Sequence, residues 1–504
     1  MTGGGVHGEA VGSCCIVLHS HLPWLPHHGT WPVGEEWLYQ AWAGSYLPLT
    51  RMLTRLGDEG RQGLLTLGVT PVLAAMLDDP SCLAEVTTWS ANWLLRSEAA
   101  AVDGVGVAGY EARAAHQTLD QLAGAWSAGA SPVLRGLADA GVVELVGGPL
   151  SHPFQPLLPE RVVRAQLTAG LDDATTRVGT RPGGIWAPEC AYRPGLEKLY
   201  ADAGVSHFLV DGPTVGGDTA AGYDVAGSGV VAFARDLDLA YRVWSPRAGY
   251  PGGPWYRDFH TFDHASGLKP SRVTSQDSAP QDKAPYDPAA ARTAARADAA
   301  DFVAAVRQRL LDVQEARGGR PGLAVVAYDT ELFGHWWHEG PMFLEAVLRG
   351  LPEAGVRVMT LQQALEDHVD GARELPAGSW GAGKDWHVWS DPGDLVDLGE
   401  EVSERLLRVV DKQSDPRCRN DAVDQLGREA FLALSSDWAF MVSHDSTPDY
   451  ARRRAHGHAQ AFHDLADALE DGDAPRAAQV AARLRAIDRP FPGFDARSLL
   501  PCAS

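Results

Sequence analysis

The fold is inferred most directly from the stretch Gly184-Ile-Trp-Ala-Pro-Glu-Cys-Ala-Tyr-Arg-Pro-Gly195. Its first four residues form a short apolar run that ends at Pro188, which cannot donate to a strand ladder. Glu189 therefore stands just past the end of a predicted buried strand, where α/β barrels and open α/β sheets place catalytic groups. The alternative is an ordinary strand-to-loop turn whose glutamate faces solvent.

Similar apolar runs recur along the chain, and most are followed by polar residues. They are Cys14–Leu18, Leu64–Val69, Val142–Val146, His207–Val210, Leu323–Ala327 and Val356–Met359. Helical segments lie between them, at Arg161–Thr168, Pro194–Ala203 and, most clearly, Asp287–Arg317. Strands that alternate with helices predict a parallel α/β sheet, and about seven strands favour a closed TIM-like barrel over an open sheet.

The chain divides into a predicted barrel and a predicted helical domain. Residues 1–12 are Gly-rich and predicted to be disordered, and residues 13–390 form the barrel. Two insertions interrupt it: an aromatic, Gly-rich lid at 245–264 and a polar, mobile segment at 269–285. Residues 391–504 lack strand-like runs and form an all-α domain, with helices expected at Glu400–Asp411, Ala422–Met441, Ala451–Glu470 and Ala474–Ile487.

Composition and net charge restrict the kinds of partner and ligand that the protein can bind. The formal net charge of −22 over 504 residues argues against nucleic acids and anionic membranes as partners. Sixteen tryptophans outnumber the tyrosines and the phenylalanines, and their flat faces suit sugar rings, although they also fill large cores. The sequence shows no secretory signal, no apolar stretch of roughly 20 residues and no C-x-x-C among its cysteines. We therefore expect a reduced, cytoplasmic protein without a thiolate metal cage.

A second carboxylate, Asp329, follows the apolar run Leu323–Ala327 just as Glu189 follows Gly184–Ala187. Two carboxylates on different strands of one barrel can face each other across its mouth, as glycoside cleavage requires. The alternative for Asp329 is a loop cap or a structural salt bridge. Asp211 is a weaker third candidate because Asp-Gly is common turn chemistry, and Glu331 lies farther from the strand end than Asp329.

Histidines gather at the same predicted strand ends. His19 and His21 alternate on one strand and can both enter the barrel mouth, where they either bind sugar hydroxyls or hold a metal together with His152 and Asp329. His335 and His338 follow Asp329 and either join the site or face solvent. The residues alone leave open a metal-dependent carbohydrate esterase or deacetylase using His19, His21 and Asp211.

As a set, the motifs resemble glycoside hydrolase family 57, and within it the 1,4-α-glucan branching enzymes of actinobacterial type. Five regions match in order: His19–Pro23, Gly147–Pro153, Trp186–Tyr192, Tyr328–His335 and Ser435–Met441. The closing segment, Arg489–Asp495, is similar to the tail of that family. The resemblance covers nearly the whole chain.

The resemblance implies a (β/α)7 barrel, a retaining double displacement, no metal and no cofactor. It implies that Glu189 is the nucleophile and Asp329 the acid/base. The implied substrate-binding residues are His19, His21, His152, Trp186, Tyr250, His335, Trp380, Asp437 and Trp438. The implied substrate is an α-1,4-glucan such as glycogen or amylose, acted on by a monomer or homodimer.

The loop Gly249–Asp258 resembles the lid of branching enzymes, in which Tyr250 would cover the glycosyl-enzyme intermediate. A branching enzyme must delay water until a sugar 6-hydroxyl attacks, and a lid that excludes water serves this purpose. After His260 the chain departs from the family pattern and runs into the polar segment 269–285, so its acceptor preference can differ. A hydrolase, a 4-α-glucanotransferase and a non-catalytic glucan-binding protein are the remaining alternatives.

Overall fold

The computed structural model describes residues 10–245, 248–413, 415 and 417–501. The predicted disorder of residues 1–12 falls, up to residue 9, outside the described residues. From Val11 onward the chain is paired, because the Val11 N–H donates to the Gly355 carbonyl (3.0 Å) and the first strand begins at Gly12.

Strands of the described residues form two sheets, with the order β3-β2-β1-β8 in the first and β10-β6-β7-β5-β4 in the second. They are β1 (Gly12–Ser20), β2 (Leu65–Val69), β3 (Val143–Val146), β4 (Gly184–Ile185), β5 (His207–Asp211), β6 (Gly222–Val225), β7 (Val231–Arg235), β8 (Gly322–Asp329), β9 (Val356–Val358) and β10 (Val369–Arg373). Strand β9 pairs with the first three residues of β1, beside the main path of the first sheet.

Backbone hydrogen bonds join the two sheets at both seams. At one seam Gly147, just after β3, forms a parallel bridge with Ile185 of β4. At the other, the N–H of Asp236, just after β7, donates to the Val325 carbonyl of β8 (2.8 Å). The strands β1, β2, β3, β4, β5, β7 and β8 therefore follow one another around a seven-stranded barrel, as the sequence predicts.

One barrel strand was not predicted and another was misplaced. Strand β7 was not predicted, although Val231–Arg235 is an apolar run paired in parallel with β5. The prediction that Val356–Met359 is the last barrel strand was wrong, because β9 pairs only with the beginning of β1. The barrel strand count was right because these two errors offset each other.

Helices surround the barrel strands. They are α1 (Glu35–Ala41), α2 (Leu47–Asp58), α3 (Pro71–Leu77), α4 (Pro80–Val102), α5 (Ala108–Ala123), α6 (Ser131–Asp139), α7 (Glu160–Val178), α8 (Leu196–Asp202), α9 (Leu237–Trp244), α10 (Pro288–Ala316), α11 (Gly340–Glu353), α12 (Leu361–Asp367) and α13 (His387–Ser390). Helix α10 begins as predicted, since the Asp287 carboxylate caps the N–H groups of Ala289 and Ala290. No helix in the described part of the chain is both long enough and apolar enough to cross a membrane.

The C-terminal region is helical, with α14 (Gly393–Gln413), α15 (Asp421–Ala433), α16 (Ser436–Ser443), α17 (Pro448–Glu470) and α18 (Ala474–Arg485). The prediction of one helix over Ala422–Met441 was wrong, because the chain breaks at Leu434 and Ser435. Ser435 leaves the helix to bridge Pro153, and the Ser436 N–H donates to the His152 carbonyl (3.0 Å). This break carries the start of α16 onto the barrel.

The two predicted insertions pair with each other. The Asp258 N–H donates to the Ser271 carbonyl (2.9 Å), the Val273 N–H donates to the Tyr256 carbonyl (2.8 Å), and Lys283 forms an ion pair with Asp258. Segment 269–285 thus lies along the lid 245–264, of which residues 246–247 are outside the described residues. The mobility of 269–285 and the domain boundary at residue 391 stay predictions.

Candidate active site

The barrel interior supplies the first residues of the site. Side chains alternate along a strand, so the inward column of β1 runs from Cys15 and Val17 to His19. On β8 the same alternation runs from Leu323, Val325 and Ala327, all in the interior apolar cluster, to Asp329. His19 and Asp329 are partners in the parallel ladder, so an imidazole and a carboxyl stand side by side at the C-terminal rim.

Glu189 is held at this rim in a strained backbone conformation. It lies in the short 3-10 turn Pro188–Cys190 that follows β4, and its φ is +61°. His152, which follows β3, has a φ of +56°. Left-handed backbone is uncommon for residues other than glycine, and such strain concentrates at functional sites.

Two donors hold the Glu189 carboxylate. The Ser436 hydroxyl donates to Oε1 (2.6 Å), and the Trp380 indole N–H donates to Oε2 (2.8 Å). Burial raises the pKa of Glu189 to about 7, while both hydrogen bonds act in the opposite direction by favouring the ionised form. The side chain is thus oriented at both oxygens, and the two donors partly offset the effect of burial on its charge.

A chain of hydrogen bonds leads from the barrel to this carboxylate. His19 Nε2 lies 3.0 Å from His152 Nε2, and His152 Nδ1 lies 2.9 Å from the Ser436 hydroxyl oxygen. Because Ser436 donates to Glu189, its oxygen must accept from His152 Nδ1–H, which leaves His152 Nε2 to accept from His19. Burial and the neighbouring imidazole rings lower the pKa of His19 and of His152 well below the ordinary value, so both rings are neutral at pH 7.

Ring contacts also hold the histidines and tryptophans of the rim in place. The His19 ring stacks on Trp186 with centroids 4.2 Å apart and planes 8° apart, and His21 stacks on His152 with centroids 3.9 Å apart. Trp380 meets Trp186 edge to face at 5.2 Å. The predicted residues His19, His21, His152, Trp186 and Trp380 therefore form one layer around Glu189.

Asp437 connects the helical region to this layer. Its carboxylate lies 2.8 Å from His21 Nε2 and accepts from the Ser435 hydroxyl (2.5 Å). Although burial acts to raise it, the pKa of Asp437 is lowered to about 2, chiefly by His21. Asp437 is therefore a permanent negative charge at the barrel rim.

Asp329 lies at the same rim, on the strand beside His19. Burial raises its pKa to about 7, the interactions with His21 and Arg235 oppose that rise, and the charge of Asp437 adds to it. His21 and Asp437 also act on the pKa of Glu189. Glu189 and Asp329 thus have two neighbours in common, and that the two carboxyls line one cleft stays a prediction.

Two residues of the site, Ser436 and Glu331, were not predicted from the sequence to belong to it. Ser436 stands in a quoted motif, yet nothing in the pattern indicated that its hydroxyl would reach Glu189. Glu331 was set aside, but it is buried, accepts from the Tyr46 hydroxyl (2.5 Å) and from the His21 N–H (3.2 Å), and has its pKa raised to about 8 by burial and by Asp329. Only tertiary contacts reveal either residue.

Three predicted substrate-binding residues lie away from this cluster. Trp438 is buried among helices, and its indole N–H donates to the Leu432 carbonyl (2.9 Å). Its assignment to the cleft is corrected: consecutive helix positions point about 100° apart, so Ser436 and Asp437 face the barrel while Trp438 faces the helical core. The His335 ring meets Phe259 of the lid edge to face, with centroids 5.4 Å apart.

Tyr250 is docked on α10 in this structure. Its hydroxyl donates to Asp301, and its ring packs on Phe302 and Phe343 with centroids 6.5 and 5.5 Å apart. Covering an intermediate on Glu189 would require the loop to move from this position, so that role stays a prediction.

Asp211 is not available for the esterase arrangement. It is fully buried, and its two carboxylate oxygens are held by Arg235 Nε and Lys384 Nζ, each at 2.8 Å. The atoms that could hold a metal ion at the rim belong to His21, His152 and Asp437, all within 4.8 Å of one another. In this structure His21 and Asp437 are bonded to each other, and the remaining hydrogen bonds of the three side chains go to Thr70, Ser435, Ser436 and His19.

Comparison with known proteins identifies the family. Residues 15–375 match the model of glycosyl hydrolase family 57, and residues 399–498 match that of the 1,4-alpha-glucan branching enzyme C-terminal domain. The chain belongs to glycosyl hydrolase family 57. A probable 1,4-alpha-glucan branching enzyme of Mycobacterium tuberculosis is 52% identical to it, over 96% of this chain and 97% of that protein.

Solved structures of this family share the fold. The branching enzyme of Thermococcus kodakaraensis, crystallised with glucose, superposes with a TM-score of 0.92 at 31% identity, over 98% of this chain and 97% of that one. The alpha-amylase AmyC of Thermotoga maritima gives 0.87 at 27% identity, over 98% and 100%. The predicted family and the predicted (β/α)7 barrel with a C-terminal helical domain are thereby confirmed.

Proposed function

We propose that this family 57 member is a 1,4-α-glucan branching enzyme in which Glu189 is the nucleophile and Asp329 the acid/base. The carrying observation is the Glu189 carboxylate, held by Ser436 and Trp380 at a barrel rim that it shares with Asp329 through His21 and Asp437. The branching-enzyme relatives and the matched C-terminal domain support the choice of reaction.

The reaction proceeds in two displacements. A Glu189 oxygen attacks C1 of an α-1,4-linked glucose while Asp329 gives its proton to the departing 4-oxygen, so the C1–O4 bond breaks and a glycosyl ester forms. The 6-hydroxyl of an acceptor chain then attacks C1, Asp329 takes the hydroxyl proton, and Glu189 leaves as a carboxylate. Two inversions retain the α configuration, for which the carboxyls must come about 5–5.5 Å apart.

The electrostatics suit these roles. A pKa raised to about 7 lets Asp329 carry the proton that the departing oxygen needs at neutral pH. Glu189 has a pKa near 7 as well, and the two donors on its oxygens favour the ionised form that can attack. Both steps therefore run best in a narrow window around neutral pH.

Neutral imidazoles and indoles line the rim on the Glu189 side. His19 and His152 are uncharged, and Trp186 and Trp380 add flat apolar faces, which suits the hydroxyls and C–H faces of glucose. We assign the substrate as an α-1,4-glucan, with Tyr250 and the lid closing over the ester when the acceptor is bound. A cytoplasmic location and a monomeric or dimeric state belong to the same proposal.

The test is incubation of the enzyme with linear amylose, followed by proton NMR and by enzymatic debranching with chain-length profiling. We expect α-1,6 linkages to rise, and short chains to be released on debranching, without a matching rise in reducing ends. The Glu189→Gln variant is the matched control and should leave amylose unchanged.

The second candidate is a hydrolase or 4-α-glucanotransferase, favoured by the similarity to the Thermotoga alpha-amylase. Reducing ends that rise without α-1,6 linkages would establish hydrolysis, and redistributed linear chains would establish α-1,4 transfer. A glucan-binding protein would bind amylose without turnover. A metal-dependent deacetylase is disfavoured because the Asp211 carboxylate is held by Arg235 and Lys384.

A further inference from the structure

A second polar cavity lies in the helical region, away from the barrel rim. It encloses about 410 Å³ and lies between the start of α15, the end of α18 and the segment that follows α18. Its charged lining consists of Arg419, Asp421, Asp424, Arg428, Arg485 and Arg489, and we call it the arginine pocket. Four guanidinium groups converge there in a chain whose net charge is −22.

Aspartates balance three of the four arginines. Arg419 is paired with Asp424, and Arg485 lies 3.4 Å from Asp421. Arg489 pairs with Asp79, 2.9 Å away. The fourth cation that lines the cavity, Arg428, has no such ion pair among the described residues.

Arg428 is buried without a carboxylate partner among the described residues. Only 5% of it is exposed, and its hydrogen bonds go to neutral oxygens, from Nε to the Phe491 carbonyl (3.3 Å) and from Nη1 to Gln425 Oε1 (3.1 Å). Within the described part of the chain its Nη2 makes no hydrogen bond. Burial lowers the pKa of this guanidinium; the charge of Asp424 opposes that shift, while the positive charges of Arg485 and Arg419 add to it.

Arg485 also lines the cavity, and its buried Nε has no hydrogen-bond partner in the described structure. A buried cation whose hydrogen bonds go only to neutral oxygens is costly unless an anion approaches it. Guanidinium groups present fixed forks of N–H donors that match the oxygens of a phosphoryl group, and such a group can accept from several arginines at once. The cavity is also within the range of roughly 300–1,000 Å³ typical of small-molecule sites, larger than a bare ion needs.

We propose that the arginine pocket binds the phosphoryl group of a small organic phosphate, with Arg428 and Arg485 as its principal contacts. This site shares no residue with the cleft around Glu189, so it is a second binding site rather than part of the glucan site. Arg419 and Arg489 stand beside it and add to the positive potential that draws the anion in.

The test is isothermal titration of the full-length protein at low ionic strength with glucose 1-phosphate and with ADP, using citrate as a polycarboxylate comparison. We expect saturable binding of one phosphate compound per chain, weaker binding of citrate, and loss of affinity as salt is added. Absence of saturable binding by both phosphates, or citrate binding as tightly as they do, would overturn the proposal.

Variants locate the site. Arg428→Gln and Arg485→Gln should each weaken binding about tenfold or more, as expected for loss of a charge-assisted hydrogen bond. Arg405→Gln, which removes an arginine paired with Asp467 and Glu470 outside the pocket, should leave affinity unchanged. Unchanged phosphate binding in Arg485→Gln would contradict the placement of the site in the arginine pocket. If Arg428→Gln does not fold, the Arg485→Gln result alone decides whether the phosphate binds there.

A gain of affinity provides the complementary test. Asp421→Asn frees Arg485 from its carboxylate partner and should tighten binding several-fold. Asp464→Asn, which removes an equal charge near Arg483, is the control and should change little. Equal gains in both variants would mean that the anion responds only to overall charge, which would refute a specific pocket.

Discussion

Glu189 and Asp329 stand at ends of two barrel strands, yet the protein holds them very differently. Glu189 has strained backbone, and both of its carboxylate oxygens accept hydrogen bonds, from Ser436 and Trp380. The Asp329 carboxyl makes no hydrogen bond to any described residue, although its pKa is raised to about 7 by burial, like that of Glu189. Protein donors thus hold both oxygens of Glu189, whereas no described residue forms a hydrogen bond with the Asp329 carboxyl.

The difference follows from what each group must do. A nucleophile needs a fixed line of attack on C1 and must be ionised, so donors that orient it and stabilise its charge assist the reaction. An acid/base must exchange its proton with a substrate oxygen twice per cycle, so a permanent protein donor or acceptor would compete with that oxygen. The same raised pKa thus serves two roles, which are distinguished by hydrogen bonding.

The largest effect expected is the loss of either carboxylate. Glu189→Gln and Asp329→Asn should each lower the branching rate at least about 10³-fold, because each removes one of the two groups that act on the glycosidic bond. Initial rates on amylose and circular dichroism measure activity and folding separately.

A fluoride leaving group distinguishes the two variants. Fluoride departs without a proton, so an α-glucosyl fluoride donor should restore formation of the glycosyl ester in Asp329→Asn but not in Glu189→Gln. Rescue of Glu189→Gln instead would mean that the roles are exchanged.

A smaller effect is expected from removing one of the two hydrogen bonds to the Glu189 carboxylate. Ser436→Ala removes one donor to Glu189 and should lower kcat about 10- to 100-fold. Since the lost bond favours the ionised form, the pKa of Glu189 should rise, and the acidic limb of the pH–rate profile should move to higher pH. Ser443→Ala in the same helix, whose hydroxyl bonds the Val388 carbonyl, should change neither quantity. A pH–rate profile of Ser436→Ala that matches the wild-type profile would contradict the claim that the Ser436 hydrogen bond stabilises ionised Glu189.

The smallest effect concerns Glu331, the buried carboxyl two residues after Asp329. Its pKa is raised from 4.5 to about 8, so the folded protein keeps a proton that the unfolded chain releases. The free energy of unfolding should therefore fall as pH rises through this interval, by up to about 1.4 kcal/mol per pH unit. Glu189 and Asp329, whose pKa values are also raised, contribute a slope of the same sign, so Glu331→Gln should make the dependence on pH shallower by the Glu331 share. The exposed Glu401→Gln should keep the wild-type slope. Chemical denaturation between pH 5 and pH 8 measures it, and equal slopes in all three proteins would disprove the assignment.

The sequence predicted the barrel and most of the rim because these depend on local pattern. Continuous apolar runs ending in His19, Glu189 and Asp329 mark strand ends, and the family motifs add His152 and Trp380. Such patterns require no knowledge of distant contacts, and the structure brings these five residues together.

The remainder depends on contacts that local pattern does not encode. The break at Ser435 lies in a stretch with helical pattern, and it forms because Ser435 and Ser436 bond the His152–Pro153 backbone. That break turns Ser436 and Asp437 toward the barrel and Trp438 away from it. Spacing from the strand end set Glu331 aside, and its place in the site could not be predicted because its partner Tyr46 lies 285 residues earlier.

Trapping the covalent intermediate decides whether Glu189 is the nucleophile. Asp329→Asn is incubated with an α-glucosyl fluoride, quenched in acid, digested and analysed by mass spectrometry. We expect one added glucosyl unit, on the carboxylate of the peptide that contains Glu189. A label on Glu331 or Asp437, or turnover of the donor without any labelled peptide, would contradict it.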